Sequence, residues 1–169
     1  MAVTLGMTVA ANAQTYLGGG FSFGNNDKGT SISILPEVGY AFNENWTVGG
    51  TLSFTHVKIK MDGADNSYSA FGIAPYVRWT FANAGPVNLF LDGGLAFYSI
   101  SDTADKKYSP FEIGITPGIA IPVSDRFSFV GHVGFLGYRD NDSTSLFDNE
   151  GFGMGLSGDD FSVGIYYNF

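Results

Sequence analysis

The sequence predicts an all-β protein, namely a closed eight-stranded antiparallel up-and-down transmembrane β-barrel. Large apolar residues alternate with small or polar ones along most of the chain, and this is the period of a β-strand. No run of about eighteen apolar residues occurs, which excludes a helical membrane span. The connections between alternating segments are short and long in turn, as in a barrel with turns at one rim and loops at the other.

The composition fits a surface that faces lipid. Of 169 residues, 24 are Gly, 16 are Phe and 9 are Tyr, while 14% are charged, well below the usual quarter. So few charges would limit the solubility of a monomer in water. The net charge of −8 argues against nucleic acid as a partner, since nucleic-acid binding needs a basic surface. The absence of cysteine excludes disulfides and thiol chemistry.

Residues 1–13 are predicted to be the remainder of a signal peptide. The segment is apolar, and Ala11-Asn12-Ala13 before Gln14 has the A-x-A form of a signal-peptidase site. The basic region that normally opens such a peptide is missing, so we expect either an upstream start or a misassigned one. The barrel domain is therefore assigned to residues 14–169.

The first four strands are predicted wherever apolar residues recur at every second position over about ten residues. Their ranges, each with its outward residues, are Tyr16–Gly24 with Leu17, Phe21 and Phe23; Ser31–Phe42 with Ile32, Ile34, Val38, Tyr40 and Phe42; Trp46–Lys58 with Val48, Leu52 and Phe54; and Tyr68–Phe81 with Phe71, Ile73, Val77, Trp79 and Phe81. Branched and aromatic side chains dominate the outward positions, as strand propensity favours.

The last four strands follow the same rule. They are Val87–Ile100 with Leu89, Leu91, Leu95 and Phe97; Pro110–Pro122 with Phe111, Ile113, Ile115, Ile119 and Ile121; Phe127–Tyr138 with Phe127, Phe129, Val133 and Phe135; and Asp160–Phe169 with Phe161, Val163, Ile165, Tyr167 and Phe169. A further run, Phe152–Leu156, alternates in the opposite parity to Phe161. It either extends the eighth strand through a bulge near Ser157–Asp159 or belongs to the loop.

The connections sort by length between the two rims. Those around Asn43–Asn45, Asn83–Pro86 and Ser124–Arg126 are short, and those around Asn25–Thr30, Ile59–Ser67, Ser101–Ser109 and Arg139–Asp159 are mostly longer and more polar. Three short turns and four loops join eight strands and leave both ends of the barrel on the short-turn rim. In a bacterial outer membrane this rim is periplasmic, so both termini are expected in the periplasm.

Aromatic residues cluster at the short-turn ends of several strands. They are Phe42, Trp46, Trp79, Phe81, Phe127 and Phe169. Amphipathic rings prefer the headgroup region of a bilayer, so we interpret this set as the periplasmic aromatic girdle of the barrel.

Parity directs a few ionisable side chains into the barrel interior. They are Glu37, Arg78, Asp92 and Glu112. A barrel of eight strands is filled by side chains, and a buried unpaired charge costs several kcal/mol. We therefore expect Arg78 to bridge two or more of the three carboxylates and to plug the lumen. In the alternative, the same charges line a narrow ion path that opens when one bridge changes partner.

Several segments resemble a known family, the OmpX/OmpA-like outer membrane protein β-barrel domain. Ile34–Tyr40 resembles its second strand, Ile73–Trp79 its fourth, and Thr116–Ala120 with Gly134–Tyr138 its sixth and seventh. The resemblance implies a barrel in a bacterial outer membrane. It also implies that the alternating residues ending at the closing Phe form the signal that the barrel-assembly machinery recognises; these are Phe161, Val163, Ile165, Tyr167 and Phe169. It implies no single activity, since such barrels serve many roles.

The leading hypothesis is a structural or surface-interaction protein whose partners are outer-membrane lipid, the assembly machinery and an unidentified extracellular ligand. The candidate external contacts are Tyr108, Phe147, Asp148, Glu150 and Phe152. The alternatives are a narrow porin-like channel and a soluble lipocalin-like barrel, whose apolar face would point inward. No catalytic residues, metal or cofactor are predicted. The two histidines are far apart in sequence, and Asp140-Asn141-Asp142 lacks the Gly and Glu of a calcium loop.

Overall fold

The computed structural model describes residues 14–26, 29–61, 64–102, 107–140, 151–155 and 161–169. The strands among them are β1 (Gln14–Asn26), β2 (Gly29–Ala41), β3 (Trp46–Met61), β4 (Ala64–Ala84), β5 (Val87–Asp102), β6 (Lys107–Tyr108), β7 (Phe111–Pro122), β8 (Phe127–Val133), β9 (Phe135–Asp140), β10 (Gly151–Gly155) and β11 (Phe161–Asn168). The part of the chain described here contains no helix long and apolar enough to cross a membrane.

The strands form one antiparallel sheet that closes on itself. Strands β1, β2, β3, β4, β5 and β7 are successive neighbours, and β7 pairs with both β8 and β9. Closure comes from β11, which pairs with β8 on one side and with β1 on the other, from Tyr16 opposite Asn168 to Phe21 opposite Val163. Strands β8 and β9 together make the seventh strand of the barrel, and β10 and β11 lie along the eighth. The predicted closed eight-stranded antiparallel barrel is confirmed.

Several strands run further than the alternating apolar pattern suggested. Strands β3 and β4 pair as far as Met61 opposite Ala64, and β1 and β2 pair as far as Asn26 opposite Gly29. The predictions that Asn25–Thr30 and Ile59–Ser67 are loops were therefore largely wrong. The ladder of backbone hydrogen bonds needs no apolar side chain, so it continues into polar sequence where the lipid-facing pattern ends.

The apolar side chains point outward. The outer surface carries exposed large hydrophobic residues on every long strand, among them Leu17, Ile34, Phe54, Phe97, Ile113, Phe129 and Ile165. The lipocalin-like arrangement, in which this face would turn inward, does not occur.

One prediction of orientation was wrong, and Gly134 is the reason. Gly134 separates β8 from β9 and has φ of 76°, a conformation that favours glycine. The pairing register with β7 shifts by one residue across it, from Gly118 opposite His132 to Gly114 opposite Gly137. This bulge reverses the parity, so Phe135 turns inward and Leu136 is exposed instead.

Candidate functional site in the barrel interior

The barrel interior holds a charged cluster that centres on Arg78. Strand β4 places Arg78 directly opposite Asp92 of β5, and β2 contributes Glu37. All three side chains are buried. We call Glu37, Arg78, Asp92 and His132 the central cluster.

Arg78 contacts two carboxylates and one imidazole. Its Nε donates to Oδ1 of Asp92 at 2.7 Å, and its Nη2 donates to Oδ2 of Asp92, also at 2.7 Å. The same Nη2 lies 3.3 Å from Oε1 of Glu37. His132 lies beside this pair, with Nε2 3.0 Å from Oδ2 of Asp92 and 3.3 Å from Nη2 of Arg78. The bidentate fork is the geometry in which guanidinium and carboxylate bind most strongly.

Three tyrosine hydroxyls converge on Glu37. Tyr166 donates to Oε2 at 2.5 Å and Tyr16 donates to Oε1 at 3.0 Å. Tyr76 donates to the same Oε1 and also contacts the hydroxyl of Tyr16. Glu37 therefore keeps hydrogen-bond donors from three strands besides the guanidinium, and this satisfies a carboxylate that water does not reach.

Aromatic rings fill the space around the cluster. The guanidinium carbon of Arg78 lies 4.0 Å from the ring centroid of Phe90, which is 1% exposed. Each ring faces a glycine on a neighbouring strand, and a Cβ there would strike it; the pairs are Gly18 with Tyr166, Gly39 with Tyr16, Gly49 with Tyr76, Gly72 with Tyr98 and Gly118 with Phe90. The glycines of the inward face thus make room for aromatic rings inside the barrel.

Glu112 belongs to a second ion pair, nearer to the rim of the long connections. Its Oε1 lies 3.0 Å from Nε of Arg139, and Tyr98 donates to its Oε2 at 3.4 Å. The guanidinium carbon of Arg139 lies 4.1 Å from the ring centroid of Phe135. Along β7, Glu112 is four residues from Thr116, the register partner of Asp92, which corresponds to about 13 Å. Sequence reasoning grouped Glu112 with Arg78, but its ion pair is with Arg139.

Sequence reasoning missed several members of this interior. Tyr16, Phe90, His132, Arg139 and Tyr166 were not proposed as site residues. The alternation carried a signal for Phe90 and Tyr166, because each lies between outward apolar residues. It carried none for Arg139, since the bulge at Gly134 reverses the parity before this residue is reached.

The predicted girdle residues all lie exposed at the short-turn rim; they are Phe42, Trp46, Trp79, Phe81, Phe127 and Phe169. Trp46 and Trp79 stack with ring centroids 6.2 Å apart. Of the proposed assembly-signal residues, Phe161, Val163 and Ile165 are exposed on the outer face. The ring of Tyr167 packs between those of Phe127 and Phe169, at 5.2 Å and 5.0 Å.

Only part of the proposed external contact set can be placed. Tyr108 lies in β6, opposite Ile100, and Phe152 lies in β10, opposite Tyr138. Tyr108 was predicted in a loop, and this was wrong because its segment joins the sheet. For Phe152 the sequence left open a loop or an extension of the eighth strand, and the pairing of β10 with β9 agrees with the extension. Phe152 is 80% exposed. Phe147, Asp148, Glu150 and the predicted signal peptide, residues 1–13, lie outside the described residues. The same holds for residues 156–160, which join β10 to β11.

A Ser–His–Asp series runs through the central cluster. Oγ of Ser162 lies 3.3 Å from Nδ1 of His132, whose Nε2 reaches Asp92. These are the residue types of a hydrolase relay. Here, however, Arg78 holds both carboxylate oxygens of Asp92, so the arrangement is an ion-pair network. Among the residues that the structure describes, no group of three or more His, Asp or Glu side chains converges as a metal site.

Comparisons with known proteins agree with the fold. Neisserial surface protein A superposes with a TM-score of 0.54 at 14% identity, over 93% of this chain and 97% of that one. The N-terminal barrel domain of OprF from Pseudomonas aeruginosa gives 0.51 at 13% identity, over 94% and 98%. No curated protein sequence matches the chain. The family described as outer membrane protein beta-barrel domain matches residues 1–169. The chain therefore belongs to this family of outer-membrane barrels.

Proposed function

We propose that this protein is a non-enzymatic outer-membrane barrel with a structural or surface-interaction role, and that the central cluster closes its lumen. One observation carries the proposal, namely that side chains from six strands meet around a single buried guanidinium. These are Tyr16 of β1, Glu37 of β2, Tyr76 and Arg78 of β4, Phe90 and Asp92 of β5, His132 of β8 and Tyr166 of β11.

The contacts around Arg78 favour a permanent closure over a gate. A gate would have to exchange a bidentate ion pair, with both bonds at 2.7 Å, for a new partner. Removing one member of a buried pair costs about 3–5 kcal/mol. The aromatic rings would also have to move away from the glycines against which they pack. Both costs oppose opening.

Planar-bilayer conductance tests this closure. We expect the refolded protein to produce no steps of hundreds of picosiemens. A variant with Tyr16→Ala, Arg78→Ala and Tyr166→Ala removes three side chains that fill the section, and it shows whether the assay detects an open barrel of this size. Large steps from the unaltered protein would contradict the closure and favour the narrow channel.

The surface-interaction role rests on the connections at the long rim, which we propose to be extracellular, with both termini periplasmic. An epitope inserted between residues 145 and 146 is expected to be reached by antibody on intact cells, whereas one after Asn43 is not. Replacing residues 141–150 by a short Gly–Ser linker is expected to abolish the binding of the extracellular partner to intact cells. Heat-modifiable gel migration, which reports a folded barrel, should stay normal. The assay covers the proposed contacts Phe147, Asp148 and Glu150, and Tyr108→Ala and Phe152→Ala test the other two.

Two further assignments concern lipid and assembly. We propose that the aromatic residues of the short-turn rim anchor the barrel at the periplasmic headgroups, because their rings are exposed there. We also propose that the assembly machinery recognises the outward residues of the last strand. Phe169→Ser is then expected to reduce insertion in cells, whereas refolding of the purified variant into detergent stays efficient.

A further inference from the structure

The outer surface carries a polar patch at the rim of the long connections. His56 of β3, Ser69 of β4, Ser101 of β5 and Lys107 of β6 are successive register partners across four strands. All four are exposed on the outward face. Partners in such a row have Cβ atoms about 4.5–5.5 Å apart, and Nδ1 of His56 lies 3.4 Å from Oγ of Ser69. The row is therefore continuous across the sheet.

A second polar pair lies beside this row. Lys58 is opposite Ser67, and both are exposed on the same face, one row further from the short-turn rim. On the other side of the row lie Phe54 and Phe71, whose ring centroids are 5.3 Å apart. The six polar residues thus begin where the apolar outer face ends. We call His56, Lys58, Ser67, Ser69, Ser101 and Lys107 the outer-face polar patch.

The charge of the patch is unusual for this protein. The chain has 16 acidic and only 8 basic residues. Among the side chains that the structure describes, Arg78 and Arg139 lie in the interior and Arg126 lies at the short-turn rim. Lys58 and Lys107 are therefore the described cations exposed at the long-connection rim, and both belong to the patch.

We propose that the outer-face polar patch binds the phosphate of a phosphorylated membrane lipid. The patch supplies two ammonium groups, an imidazole and three hydroxyls, which complement a phosphate by charge and by hydrogen bonding. Its position selects a lipid over a free anion, because acyl chains below the headgroup would pack against the exposed Phe54 and Phe71. The inference rests on the proposed placement of the barrel in a membrane.

The test is a lipid titration that follows the side-chain NMR signals of the two histidines. The barrel is placed in phosphatidylcholine nanodiscs that contain increasing amounts of phosphatidic acid or, as a neutral match, of diacylglycerol. We expect phosphatidic acid to shift the His56 resonance saturably, while diacylglycerol does not. His132, inside the barrel, serves as the internal control. A titration with inorganic phosphate at the same concentration tests whether the patch binds a free phosphate ion without the lipid.

The lysines provide the matched variants. Each basic residue near a membrane surface contributes about a fivefold factor to anion binding, so Lys58→Gln with Lys107→Gln is expected to weaken the titration by about 25-fold. Arg126→Gln, which removes an exposed cation from the opposite rim, should leave it unchanged. Equal binding by the double variant, equal shifts with diacylglycerol, or saturation by inorganic phosphate would each overturn the inference. Ion conductance would contradict the closed lumen but would leave this result untouched.

Discussion

Replacing Arg78 by methionine is expected to lower the free energy of unfolding by about 3–5 kcal/mol, because the change leaves two buried carboxylates without their cation. Methionine keeps much of the length of the side chain and its contact with Phe90, so the loss reports mainly on charge. The guanidinium is buried, and water cannot replace it without opening the packed rings.

The two carboxylates are not expected to share this loss equally. Asp92 receives two bonds of 2.7 Å from Arg78, and bonds to charged groups contribute about 1.5–3 kcal/mol each. Glu37 receives one contact at 3.3 Å, and it retains three tyrosine donors. We therefore expect a coupling energy of about 3 kcal/mol between Arg78→Met and Asp92→Asn in a double-mutant cycle. The coupling with Glu37→Gln should be about 1 kcal/mol.

Urea unfolding of the barrel in lipid bilayers, followed by the fluorescence of Trp46 and Trp79, measures these energies. The two tryptophans are exposed on the outer face, whereas the substituted side chains point into the interior, so their fluorescence follows the unfolding of the barrel wall. Equal couplings for the two carboxylates would refute the assignment of Asp92 as the main partner. A loss below about 1 kcal/mol for Arg78→Met would refute the view that the ions are desolvated.

Three other substitutions test the packing of the interior by the same unfolding assay. Gly94→Ala would place a Cβ 2.6 Å from a backbone oxygen of the neighbouring strand and is expected to lower the free energy of unfolding by about 1–3 kcal/mol. Gly93→Ala is the control, because the nearest atom to its Cβ would be 4.0 Å away, and it should leave the stability almost unchanged. Equal losses for the two variants would contradict the inward placement of Gly94. Gly134→Ala is expected to cost about 1–2 kcal/mol, because its φ of 76° is strained for any other residue, and an unchanged stability would argue against the bulge. Arg139→Met is expected to cost about 1–3 kcal/mol by leaving Glu112 without its cation, and adding Glu112→Gln should recover part of the loss.

The alternating pattern was sufficient to predict most of the architecture. Strand parity follows from chain geometry alone, so it placed Glu37, Arg78 and Asp92 on the inward face before any contact was known. Pairing between Arg78 and a carboxylate follows from the cost of a buried charge. These inferences need only the period of a strand and the size of an eight-stranded barrel.

Two kinds of feature were beyond this reasoning. Gly134 shifts the register by one residue, and nothing distinguishes it in sequence from the many glycines that keep the parity; hence Phe135 and Arg139 were misplaced or missed. The convergence of Tyr16, Tyr76 and Tyr166 on Glu37 depends on strand stagger around the closed barrel, which local patterns do not encode. The polar ends of the strands at Asn25–Thr30 and Ile59–Ser67 were predicted as loops, because backbone pairing between strands does not require the apolar alternation by which strands were recognised.

Nitroxide scanning from Phe127 to Asp140 tests the orientation of the wall most directly, since the chain has no native cysteine. Each residue is replaced in turn by a spin-labelled cysteine in lipid bilayers, and the collision rate with oxygen, which concentrates in the acyl region, is measured. We expect maxima at Phe127, Phe129, Gly131 and Val133, and after the bulge at Gly134 at the even-numbered residues Leu136 and Tyr138. Maxima at the intervening positions would contradict the outward orientation of the apolar side chains. One unbroken period of two that includes Phe135 would contradict the bulge at Gly134.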